Sequence, residues 1–167
     1  MKPLITENEE RSIQAFNAAL THEKADTVIL ADVSGSMDQI IPGVGHSRYQ
    51  IMKHCLLRVV STLQGAAVTL FSTNCERLTS WEAFDASLVR GNGTNLARAI
   101  RSAAKLNPSH IIIITDGEPD SVEAALATAS TMLCRVDVYY CGPGAARAVE
   151  FCRNLAQFGG QAVIDPE

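Results

Sequence analysis

Apolar residues follow two rhythms along this chain, and the rhythms take turns. Ile13, Phe16 and Leu20 recur at helical intervals behind Thr6 and Glu9, which stand at capping-box spacing, so an amphipathic helix is predicted over about 7–21, ending near His22. Thr27–Val33 (TVILADV) is a nearly continuous apolar run, which suits a strand covered on both faces, and it stops at the turn SGSM. From Arg48 to Leu63, the positions Ile51, Cys55, Leu56, Val59 and Leu63 mark a helix lying on a sheet, closed by Gly65. Ala66–Ser72 (AAVTLFS) reads as a second buried strand. The polar stretch STNCER then leads to LTSW, Leu78–Trp81, expected as a short edge strand returning as a hairpin.

The same alternation fills the second half. After a loop ending RGNGTN, Leu96, Ile100, Ala103, Ala104 and Leu106 mark a helix stopped by Asn107-Pro108. His110–Thr115 (HIIIIT) is a strong strand with four consecutive β-branched residues, ended by Asp116-Gly117. An Ala-rich helix over Asp120–Leu133 follows, and VDVYYC, Ala145–Phe158 and QAVID read as strand, helix and strand. Alternating strands and helices predict an α/β fold with three layers, doubly wound around a mostly parallel central sheet with right-handed crossovers. One short antiparallel edge strand completes it. In such a sheet the ligand site lies beyond the carboxyl ends of the strands, so chemistry should be sought in the turns that follow them.

Length and charge narrow the class further. A chain of 167 residues, 47% apolar and 19% charged, is ordinary for one globular domain. With 14 Lys+Arg against 18 Asp+Glu, the net charge of −4 supplies no global attraction to nucleic acid or to an anionic membrane. The beginning, MKPLITENEERS, is polar and acidic where a secretory signal would be basic and then apolar, and no apolar run approaches the roughly 18 residues of a membrane span. A soluble, cytoplasmic protein is expected. Cys55, Cys75, Cys134, Cys141 and Cys152 form an odd set without a CxxC pair, which reads as buried thiols in a reducing compartment.

Three of the turns after strands carry oxygen-bearing side chains. Asp32, Ser34 and Ser36 alternate after the first strand, with Gly35 allowing a sharp turn. Thr94 precedes the third helix in a loop loosened by Gly91 and Gly93, and Asp116 follows HIIIIT. Hydroxyls and carboxylates suit a hard divalent cation, and the absence of histidines and thiols from the set favours Mg2+ or Mn2+ over zinc. Taken singly, each residue also fits a helix cap or a common turn. The case rests on five oxygens at three strand ends.

The arrangement resembles the von Willebrand factor type A (VWA) domain, whose metal-ion-dependent adhesion site (MIDAS) has the pattern Asp-x-Ser-x-Ser, a distant Thr and a distant Asp. Here it reads DVSGSM, GNGTNL and ITDGEPD, within a resemblance covering about residues 26–165. The resemblance implies a Rossmann-like sheet with Asp32 and Asp116 on neighbouring central strands. It implies direct hydroxyl ligation by Ser34, Ser36 and Thr94, and action through water by Asp32 and Asp116. The bound ion would be Mg2+, with Mn2+ or Ca2+ as alternatives, completed by an Asp or Glu of a protein partner. Residues 1–25 then form an N-terminal helical extension and 26–167 the VWA domain. The implied role is that of a subunit or adaptor in a cytoplasmic complex, with a MoxR-type AAA+ ATPase as the kind of partner the resemblance implies, and not that of an enzyme. A purely structural role, the ion merely tying three loops together, is the bland alternative.

A Mg2+-dependent phosphohydrolase of haloacid dehalogenase-like type is the alternative from another class. It would need Asp32 as nucleophile and an acidic residue two positions later, where Ser34 stands. No GxxxxGK[ST] occurs, which excludes a P-loop. Among weaker candidates, Arg98, Arg101 and Lys105 are expected on a solvated helix face, and Trp81 and Phe84 as cover for the core. His46 and His54 lack a third ligand, Arg147 and Arg153 read as surface, and Asp38, Asn95 and Asp120 are assigned supporting positions near the site.

Overall fold

Aliphatic runs with both faces apolar become the middle of a sheet, because each strand must be covered on two sides. The computed structural model describes residues 6–21, 24–85, 87 and 89–164. The elements run α1 (Glu7–Ala19), β1 (Thr27–Asp32), a 3-10 turn (Gly35–Asp38), α2 (Arg48–Val60), β2 (Ala66–Phe71), β3 (Cys75–Arg77), α3 (Leu96–Ala104), β4 (His110–Thr115), α4 (Val122–Ser130), β5 (Arg135–Tyr140), α5 (Ala146–Leu155) and β6 (Ala162–Val163). The strands lie in the order β3-β2-β1-β4-β5-β6, all parallel except β3, which is antiparallel to β2. This is the expected doubly wound sheet with one short antiparallel edge strand.

The period of two along the strands sorts side chains into two cores. Val28 and Leu30 of β1 and Ile111 and Ile113 of β4 face α3, α4 and α5, where Ile100, Ala125 and Phe151 meet them. Ile29, Ala31, Ile112 and Ile114 face the other way, against Phe16 of α1 and Met52 and Leu56 of α2. Three layers result. α1 begins with the predicted capping box, in which Glu9 N–H donates to Thr6 Oγ1 and the Glu9 carboxylate accepts from Thr6 N–H. The predicted end of this helix near His22 lies outside the described residues, as does Asp165 of the expected last strand.

One predicted element is displaced. The antiparallel edge strand is Cys75–Arg77 and not Leu78–Trp81. Ser72 N–H donates to the Asn74 carbonyl at 2.9 Å, so the chain reverses immediately after β2 and the polar residues Cys75, Glu76 and Arg77 take the ladder positions opposite Phe71, Leu70 and Thr69. Leu78 continues inward, and Trp81 packs edge-on against Phe16 with ring centroids 5.1 Å apart. An edge position tolerates polar residues because one side of the strand faces no neighbour.

Candidate metal and docking site

β1 ends on Asp32 and its neighbour β4 ends on Thr115, so the turns that leave these adjacent parallel strands emerge side by side. Each Asp32 oxygen has a partner: Oδ1 accepts from Ser34 N–H at 2.9 Å, and Oδ2 accepts from the Thr115 hydroxyl at 2.8 Å. Ser34 Oγ and Ser36 Oγ stand 3.2 Å apart. The Ser36 hydroxyl donates to Asp116 Oδ2 at 2.6 Å, and Asp116 Oδ1 accepts from Glu118 N–H at 3.2 Å. Four of the five predicted residues therefore form one chain of polar contacts.

Thr94 arrives on a third loop. Ser34 pairs with Gly91 in a short parallel bridge, and Asn95 N–H donates to the Ser72 carbonyl at 2.7 Å, which holds the loop against the ends of β1 and β2. Asp120 grips Thr94 from the far side: its Oδ1 accepts from Thr94 N–H at 2.9 Å, and its own N–H donates to the Thr94 carbonyl at 3.0 Å. Thr94 is buried. A methyl group at Gly93 would overlap Thr73 Oγ1 and lie 3.1 Å from Asp120 Oδ2. Gly93→Ala is expected to push this loop outward, at a cost of about 1–3 kcal/mol in urea denaturation. Gly91→Ala, whose added carbon would lie 3.4 Å from Ser72 Oγ, is the milder control.

Asp32 and Asp116 are both completely buried. Burial, and then the negative charge of Asp116, push the Asp32 carboxyl up to about 7 against the hydrogen bonds from Ser34 and Thr115. Arg48, at the first position of α2, is also buried, and its Nη1 donates to Asp116 Oδ2 at 2.8 Å and to Glu118 Oε2 at 3.1 Å. Sequence reasoning did not find Arg48, Thr115 or Glu118 as parts of the site. Arg48 did carry a signal: a cation in the first turn of a helix opposes the positive end of the helix dipole, so it calls for an acidic partner elsewhere.

A model of the von Willebrand factor type A domain family matches residues 27–118, which include all three site turns. The chain belongs to this family. Among solved structures, the manganese-loaded TRAP protein of Plasmodium vivax is similar at 20% identity with a TM-score of 0.59, covering 85% of this chain and 69% of that one. The RO (RSR) protein of Deinococcus radiodurans is similar at 16% identity with a TM-score of 0.51, covering 84% of this chain. The chain spans only 31% of that protein's length. At these identities the likeness is one of fold. No curated protein matches the chain.

In this VWA domain the oxygens gathered at the strand ends are of the kind that a hard ion takes. Among the described residues no three His, Cys, Asp or Glu side chains gather to hold a metal, so any ion at the strand ends would depend on hydroxyl ligands. Adjacent corners of an octahedron with metal–oxygen bonds of about 2.1 Å are about 3.0 Å apart, close to the spacing of the two serine hydroxyls. Asp32 is a poor nucleophile here, being buried with both oxygens engaged and with a hydroxyl where the phosphohydrolase alternative needs an acid. Asp38 pairs with Arg90, and Asn95 caps α3 by accepting from Arg98 N–H at 3.0 Å. Arg98, Arg101, Lys105, Arg147 and Arg153 are exposed, Phe84 is buried and Trp81 half-buried, as expected. His46 and His54 line a cavity of about 940 Å³ between α2 and the loop after β5.

Proposed function

We propose that this VWA domain is a metal-dependent docking module whose MIDAS residues Asp32, Ser34, Ser36, Thr94 and Asp116 hold one Mg2+, with Mn2+ or Ca2+ as alternatives. The observation that carries the reading is the pair of serine hydroxyls 3.2 Å apart, tied through Ser36 to the buried carboxylate of Asp116. When bound, the ion supplies an electrophilic position for an outside carboxylate. The three hydroxyls of the set are neutral and the two aspartates do not exceed the ion's own charge, so an Asp or Glu of a partner protein is the ligand that suits it. The manganese in the TRAP protein supports a divalent ion in this fold.

The domain then works as a subunit or adaptor and not as an enzyme. Five unpaired cysteines, four of them buried, support a cytoplasmic setting. No described helix is long and apolar enough to cross a membrane. A MoxR-type AAA+ ATPase is one partner to include in the binding experiments.

Titration with Mn2+, followed by electron paramagnetic resonance, tests the reading directly. One bound ion is expected in the wild type and none in the double variant Ser34→Ala/Ser36→Ala. Added acetate, standing in for the partner's carboxylate, should reduce the water relaxation produced by the bound Mn2+. Unchanged Mn2+ binding by the folded double variant overturns the assignment.

A further inference from the structure

Among the described residues, Arg48 is the one buried cation that touches this cluster of acids. Its side chain is 7% exposed, and a single nitrogen, Nη1, bridges Asp116 Oδ2 and Glu118 Oε2. Asp116 Oδ2 accepts from the Ser36 hydroxyl as well, so one oxygen carries both the residue that orients a serine and the residue that neutralises charge. The location works against a cation on two counts. Burial removes water from the guanidinium, and the first turn of α2 turns its positive end toward it. An arginine that merely covered the sheet would find cheaper surroundings.

The charges that these contacts join are Asp32, Asp116 and Glu118, three negative, and Arg48, one positive. With all three carboxyls ionised Arg48 leaves a net −2, which a divalent ion would bring to neutrality; in the metal-free protein a proton retained in part on buried Asp32 makes the charge less negative.

We propose that Arg48 is a positioning residue serving as the site's resident counter-charge: it keeps Asp116 aimed at Ser36 in the metal-free protein and limits how tightly a divalent cation binds beside it. This rests on the metal-site reading above. Because the guanidinium does not leave when the ion arrives, it repels the ion through a poorly screened interior. Glu118, whose side chain is 49% exposed, draws part of the guanidinium charge outward and so moderates that repulsion.

Wild type, Arg48→Gln, Arg48→Lys and Glu118→Gln, each stripped with EDTA, would be compared by thermal melting without metal and by calorimetric titration with Mn2+. Arg48→Gln should melt lower than the wild type without metal, since Asp116 loses its buried partner, yet bind Mn2+ about tenfold more tightly because the repelling charge is gone. Arg48→Lys keeps the charge and should bind within about threefold of the wild type, whereas Glu118→Gln should bind several times more weakly. Unchanged or weaker binding by folded Arg48→Gln overturns the proposal, since an ion pair with only a structural role would not tighten the site when lost. If Arg48→Gln does not fold, Glu118→Gln decides: weaker binding supports the counter-charge and equal binding overturns it. A wild type that takes up no Mn2+ overturns the metal reading itself, an outcome distinct from both.

Discussion

Asp32→Asn is expected to lower Mn2+ affinity by about 100-fold while making the metal-free protein more stable at neutral pH than the wild type. The two effects share one cause. The Asp32 carboxyl is completely buried beside the charge of Asp116, which is favourable with a divalent cation at hand and costly without one. Asparagine keeps the shape and can still accept from Ser34 N–H, while its NH2 group meets the Thr115 hydroxyl, which must turn from donor to acceptor; the main change is the loss of the charge.

The pH dependence follows in sign. With its folded pKa raised from 3.8 to about 7, Asp32 holds its proton in the folded chain over a range where the unfolded chain has released it. Its contribution is complete below about pH 4 and is lost as the pH rises through about 7. In EDTA, the stability gained by Asp32→Asn should therefore grow between about pH 4 and 7 and level off above, reaching on the order of a few kcal/mol. Urea denaturation of both proteins across this range measures it. Parallel stability curves would mean that Asp32 is not the buried charge described.

Phe16→Ala should cost about 3–5 kcal/mol. Phe16 is fully buried, and its ring meets Trp81 edge-on at 5.1 Å; Trp81 in turn lies 5.6 Å from Phe84, which lies 5.8 Å from Tyr49 of α2. Asn17 fastens the same contact, its side-chain oxygen accepting from Trp81 N–H at 2.8 Å. The aromatic chain reaches from α1 across the segment after β3 to α2, the helix that carries Arg48. Equilibrium denaturation gives the number. A loss under about 1 kcal/mol would mean that α1 adds little to the domain, whereas the larger loss makes it part of the domain's own core.

Legibility differed between the strands and the site for physical reasons. β4 was readable residue for residue, since HIIIIT can satisfy its apolar faces only between two layers of helices. Helix ends were readable where a side chain caps them, as Thr6 does, and ran long where no cap stands, as at the predicted end of α2 near Leu63 against the observed Val60. The edge strand was misplaced by three residues because an exposed ladder imposes no apolar pattern, and the tight Ser72–Asn74 turn that sets its start is a matter of backbone geometry.

By itself the sequence determined the order of strands and helices, their two buried faces and the oxygen-bearing residues at three strand ends, because hydrophobic period and residue type are local properties. Only the tertiary structure decided which charges meet. Arg48 and Asp116 are 68 positions apart, and Thr115 and Asp32 83. No local pattern encodes such pairs, since they come into being when parallel strands bring distant turns to one edge and burial then forces every charge there to find a partner.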